Sequence, residues 1–281
     1  MQKSQIILVS VGVLIVAGLY TLGRTTQKKK ISTDLQGNES AGIPADAAPA
    51  DFNTILQQAK KNLTPPVLIE LTGLENKVVR GNVKDQQILV DQRLSQIWDS
   101  LKQVAIGAHY LAAAAKLENS EKSLTFAANL FLNHLQQVND LGRRKWEAVE
   151  ARDLLLQAIQ LDPSNDTLQV ALADANVESG NVMAGVQQLL AITRANPDNI
   201  PANVLLGRLS VISGQFDKAI TRLKGVLVNQ PNNVEALYFL GEAYRGKGDK
   251  ANAIKTFEQC KKLVNDPAFS QQIDSYEKSF K

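Results

Sequence analysis

The stretch YRGKGDKANAI, Tyr244 to Ile254, comes nearest to a chemical motif in this chain of 281 residues. Gly246 and Gly248 alternate with Arg245 and Lys247; Lys250 and a helix-like run follow. Backbone N–H groups freed by glycine, a nearby cation and a helix N-terminus are the parts of a phosphate cradle. Such a cradle normally follows a β-strand, and none is expected here. No G-x-x-x-x-G-K-[ST], G-x-S-x-G or H-E-x-x-H motif occurs elsewhere. The two histidines, His109 and His134, sit among apolar neighbours at helical spacing and are expected to be structural. Trp98 and Trp146 fit core positions in the same way. Cys260 is the single cysteine, so the chain holds no internal disulfide, and no Cys/His cluster has metal-ligand spacing. No residue is a catalytic candidate. The expectation is a protein that is not an enzyme and takes no cofactor and no metal.

What must hold that stretch in place is visible as a period. Pro163, Pro197 and Pro231 are 34 residues apart, as are Gly180, Gly214 and Gly248. Leu172, Leu206 and Leu240 keep the same register, and so do Leu155, Leu189, Leu223 and Phe257. With 17 glycines and 9 prolines in the whole chain, this coincidence of residue types marks an internal repeat. Each unit reads as two helices. Asn165, Asp198 with Asn199, and Asn232 with Asn233 are placed to cap the first helix, and the repeated glycine follows its end, where a left-handed residue is needed. A second helix follows, and the proline blocks its continuation. Gly207 and Gly241 on first helices, with Ala219 and Ala253 on second helices, allow close approach. The cations of YRGKGDKANAI do not repeat: Lys247 has Ser179 and Ser213 as counterparts, and Lys250 has Val182 and Phe216. The glycine does repeat, so the stretch is expected to be a turn inside a helical hairpin.

This pattern resembles the tetratricopeptide repeat (TPR) family. In the last unit Leu240, Gly241 and Tyr244 match its L-G-x-x-Y core, and Ala253 and Phe257 match its A-x-x-x-F. Leu237 stands where Trp is common, Cys260 where a small Ala is usual, and Asn265 at the usual proline position. Three units are clear, 166–199, 200–233 and 234–267. They depart from the motif at Ala173, at Gly185, and at Asn176 and Ser210. The expected fold is all-α, a right-handed α-solenoid of TPR hairpins. Residues 120–165 read as a further unit whose long first helix, 123–141, is closed by Gly142. Residues 51–119 read as a degenerate helical region, either a cap or a dimerisation unit. Residues 268–281 read as a capping helix with Phe269, Ile273, Tyr276 and Phe280 on one stripe.

The N-terminal segment 1–24 differs in kind. Residues 6–22 read IILVSVGVLIVAGLYTL, uncharged and near the ~20 residues that cross a ~30 Å bilayer core. The chain is therefore expected to begin with a single transmembrane helix that engages the lipid bilayer. Residues 25–50 then form a flexible linker rich in Ala, Gly, Pro, Ser and Asp. Lys3 precedes the apolar run, while Arg24, Lys28, Lys29 and Lys30 follow it, which favours a cytoplasmic over a periplasmic C-terminal domain.

The TPR resemblance implies a concave face on the first helices that binds another protein or peptide. In this chain that face carries Val170, Asp174 and Val177, then Val204, Arg208 and Val211, then Tyr238, Glu242 and Arg245. Its four valines would give the groove an apolar floor, unless adjacent first helices use them for packing. The leading expectation is a membrane-anchored scaffold or adaptor in a membrane or envelope complex. The alternative is a homodimer built through residues 51–118. A helical-repeat RNA binder is disfavoured by the near-neutral charge of +3, and no nucleic acid is expected as partner.

Overall fold

The computed structural model describes residues 48–77, 83–135, 137–264 and 267–278. The apolar run 6–22 and most of the linker lie outside them. Among the described residues there is no strand, and no helix is long and apolar enough to cross a membrane. The chain forms two compact units, one within Gly42–Gln188 and one within Leu189–Lys281.

In the first unit α1 (Phe52–Lys60) and α2 (Pro65–Glu75) precede two hairpins. These are α3 (Val83–Ser100) with α4 (Val104–Glu118), and α5 (Glu121–Leu135) with α6 (Leu141–Leu161). Helix α7 (Asp166–Glu178) follows, and then α8 (Val182–Ala195), within which the division between the units falls. Each hairpin packs along its length, α5 docks on α4, and α7 docks on α6. One core gathers small residues of α4 and α5 (Ala105, Ala108, Ala112, Ala127, Ala128) around Phe131, Leu154 and Leu155. Alanines at these positions bring helix axes close without a rotamer cost. A second core holds Leu71, Leu94 and Trp98.

Helix α6 corrects the expected boundary. It starts at Leu141, and Gly142 lies in its first turn rather than closing α5. The reason is Asp140, whose carboxylate accepts the Arg143 N–H at 2.7 Å and caps the new helix.

The second unit contains α9 (Ile200–Ile212), α10 (Phe216–Asn229), α11 (Val234–Lys247), α12 (Lys250–Val264) and α13 (Pro267–Lys278). Successive helices pack in order, and α9 also packs on α11, so one hairpin stacks on the next. Asn199 accepts the Ala202 N–H at 3.0 Å, and Asn233 accepts the Ala236 N–H at 2.9 Å. Both first helices therefore start where the repeat places a cap. A Cβ added at Gly207 would sit 2.6 Å from Leu223, and one at Gly241 2.5 Å from Phe257. Each glycine is thus the socket for the large residue of its own hairpin. Ile273 of α13 is buried in the same core, while the side chains of Phe269, Tyr276 and Phe280 lie outside the described set.

The stretch of alternating glycines is the α11–α12 turn. Gly248 has φ +82°, and its N–H donates to carbonyls at the end of α11. Gly180 and Gly214 share the left-handed conformation, at φ +94° and +73°. The Asp249 N–H donates to the Tyr244 carbonyl at 2.9 Å, and Asp249 then caps α12 by accepting the Asn252 N–H at 3.2 Å. Gly246 is needed for another reason: a Cβ there would lie 2.2 Å from the Phe216 ring. Lys247 Nζ pairs with Asp217 at 2.5 Å. Gly248 and the amides serve the α11–α12 turn, while Gly246 and Lys247 serve its packing on α10.

Candidate protein interaction surface

Helix α11 supplies Tyr238, Glu242 and Arg245 at i, i+4 and i+7, which sets them along one face. Glu242 is only 8% exposed and accepts a hydrogen bond from Arg245. Burial raises the Glu242 carboxyl above the usual carboxylate range, and the Arg245 guanidinium opposes that rise. Tyr238 is 5% exposed; burial raises its phenol, and the neighbouring Glu242 charge raises it further. Helix α9 supplies Val204, which is buried in one core with Tyr238, and Val211, half-buried against that core. Arg208 is half-buried.

In the other unit Val170 and Val177 of α7 are buried, and Asp174 is half-buried. The position of Val177 has a clear cause. A Cβ on Gly185 of α8 would lie 2.5 Å from the Ala173 carbonyl and 2.7 Å from Val177 Cγ2. Gly185, a departure from the repeat's usual Ala, lets α8 close on Val177. Of the two readings open for the valines, burial favours packing for Val170, Val177 and Val204. Arg208, Val211 and Arg245 of one unit are partly accessible, as is Asp174 of the other.

Sequence reasoning missed a different set of polar residues. Glu147, fully buried, meets His134 Nδ1 at 2.7 Å and Arg143 Nε at 3.2 Å. Glu75 meets Lys60 at 2.5 Å and accepts from the Tyr110 hydroxyl at 3.0 Å. Arg144 pairs with Glu178 at 2.7 Å. These contacts tie α5 to α6, α1 and α4 to α2, and α6 to α7. None of them repeats along the chain, so no periodic signal could have found them.

Comparison with known proteins bears on the helical repeat. Residues 204–264 match the tetratricopeptide repeat family model. That segment carries tetratricopeptide repeats. Among curated proteins no relative matches the chain. A solved structure titled as YrrB, a TPR protein with an unusual peptide-binding site, is 16% identical; the match covers 69% of this chain and 94% of that one, with TM-score 0.42. MamA residues 41 to the end, from Desulfovibrio magneticus RS-1, is 18% identical over 66% of this chain and 98% of that one, with TM-score 0.45. A MamA structure labelled AMB-1 is 26% identical over 54% and 86%, with TM-score 0.39. With TM-scores below 0.5, these likenesses are partial.

Proposed function

We propose that this protein is a membrane-anchored TPR scaffold that binds another protein and performs no catalysis itself. The observation that carries the reading is the repeat register of 34, with the TPR match at residues 204–264. Proteins of this repeat act by protein–protein interaction, and a right-handed stack of hairpins supplies the surface. The apolar run 6–22 supplies the anchor, and the basic flank after it favours a cytoplasmic body. The contact face uses Arg208, Val211 and Arg245 of the second unit. Affinity purification of the full chain from detergent-solubilised membranes tests this. Specific partners captured by the wild-type chain and lost with Arg208→Glu plus Arg245→Glu support it. Wild-type capture no different from that of an unrelated anchored protein sinks it. Protease access to the body in spheroplasts against lysates decides the side of the membrane.

A second reading, self-association through residues 51–118, has its own observation. Ile69 on α2 is 73% exposed and Leu89 on α3 is 66% exposed, apolar side chains that a second copy could cover. Sedimentation of the full chain in detergent, against Ile69→Asp with Leu89→Asp, separates the two readings. A dimer that the double substitution converts to monomer supports self-association, and a monomer at every concentration removes it.

A further inference from the structure

Helix α1 has nine residues, fewer than the ~12–15 at which a free helix becomes even marginally stable in water. Its structure therefore rests on docking, through Ala50, Phe52, Ile55, Leu56 and Ala59. Ahead of it the Ala50 N–H donates to the Gly142 carbonyl at 2.9 Å. A Cβ on Gly142 would stand 3.2 Å from the Ala48 carbonyl, so glycine there gives the strap room to cross α6. Phe52 then enters an aromatic slot. Its ring stacks on His109 of α4 with centroids 3.6 Å apart and planes at 23°. Trp146 of α6 lies 5.7 Å away, and Tyr110 meets the Phe52 ring edge-on at 6.1 Å. Beyond the slot, Leu56 packs in the core of α2 and α3, and Lys60 pairs with Glu75.

We propose that Ala48–Lys60 is a latch that docks on the helical body while His109 is neutral and is released when that imidazole takes up a proton. The geometry around His109 supplies the reason. Its Nδ1 is buried and makes no hydrogen bond among the described residues. The nearest carboxylate oxygen, on Glu150 of α6, is 3.8 Å away, and Glu150 is shared with Lys116 at 3.6 Å. A protonated Nδ1 therefore buries a charged N–H without a partner. Closing the gap to ~2.8 Å takes a shift of about 1 Å, by the ring, which disturbs its stack on Phe52, or by the Glu150 carboxylate, which draws it off Lys116. The charged groups about the imidazole are Glu150 from α6 and Lys116 from its own helix; Tyr110 adds an un-ionised phenol. From α1 comes Phe52, preceded by Asp51, whose carboxylate is occupied in accepting the Thr54 N–H.

Burial holds the His109 pKa below the ordinary histidine value; Glu150 opposes this, and Lys116 adds to it. The sign follows. The docked state prefers the neutral ring, so the latch is fully held above the free-histidine pKa of ~6.5 and weakens as pH falls through the docked value. Release frees about thirteen residues, which add up to ~45 Å of extended reach between the N-terminal segment and the helical body. An acidified surface would thus lengthen the tether of the scaffold without unfolding it.

Hydrogen exchange of the full chain in detergent micelles tests the latch. Runs at about pH 7.5 and about pH 5.5, with labelling times scaled for intrinsic exchange, bracket the free-histidine value. The expected result is a severalfold loss of protection across residues 50–60 at the lower pH, with α5 and α6 unchanged. His109→Phe keeps a stacked, uncharged ring and should hold the latch at both pH values; His109→Gln gives a second uncharged variant. Phe52→Ala should release it at both. Equal protection of residues 50–60 at both pH values in the wild type overturns the proposal. So does a loss that persists in both His109 variants, or one that α5 and α6 share.

Discussion

The two units solve the same packing problem by different means. In Leu189–Lys281 a glycine on the first helix faces a large residue on the second, at Gly207 with Leu223 and at Gly241 with Phe257. The pair recurs at the period of the repeat, so each hairpin is a copy of its neighbour. In Gly42–Gln188 the helices approach through alanines and are then fixed by single polar contacts: Glu147 with His134 and Arg143, and Glu75 with Lys60 and Tyr110. Neither contact has a counterpart one period away. A repeat makes close approach generic, whereas a region outside it must specify each contact separately.

Breaking the glycine socket should have the largest effect. Phe257 is 1% exposed, and Phe257→Ala should cost about 3–5 kcal/mol by urea unfolding followed by circular dichroism. Gly241→Ala alone forces a methyl group onto the same ring and should cost ~1–3 kcal/mol. Combining Gly241→Ala with Phe257→Leu should cost less than the sum of the two singles, because the smaller side chain makes room for the methyl. Strict additivity would mean that the two residues do not form one packing element.

The corresponding break in the other unit is Glu147→Ala. Glu147 is buried, but His134 and Arg143 keep 15% and 30% of their side-chain exposure, so water partly compensates the partners left behind. The loss should be about 2–3 kcal/mol, toward the low end for a broken buried ion pair. His134→Ala should cost less, because Arg143 still faces the carboxylate. If Glu147→Ala falls within the ~0.5 kcal/mol of an ordinary surface change, this unit is not held by its polar contacts and the contrast fails.

What was legible in the sequence follows the same divide. The caps at Asn165, Asn199 and Asn233 and the left-handed Gly180, Gly214 and Gly248 could be read, because each is a local requirement repeated at a fixed interval. The start of α6 was misplaced because Gly142 looks like a helix terminator, while the cap that decides the matter is Asp140 two residues earlier. Helical spacing sets Tyr238, Glu242 and Arg245 along one face of α11, yet spacing cannot tell a groove from a core. Val177 is buried because Gly185, on another helix, lacks a side chain. The aromatic slot of Phe52, His109 and Trp146 could not be read at all, since its members lie far apart in sequence and share no pattern.

The smallest effects sharpen the comparison by holding the amino acid constant. Gly248 sits at φ +82° with open space around its Cα. Gly248→Ala should therefore cost about 1–2 kcal/mol through backbone strain alone, with no steric clash. Gly225 in α10 and Gly73 in α2 are helical, and a Cβ there would meet nothing within 4 Å. Alanine at either should stabilise by roughly 0.5–1 kcal/mol, the difference in helix propensity. Thermal unfolding should thus move down for Gly248→Ala and up for Gly225→Ala within the same unit. Gly73→Ala should move it up in the other unit. If Gly225→Ala or Gly73→Ala destabilises instead, helix propensity does not decide the outcome at that position, and the contrast with the left-handed Gly248 fails.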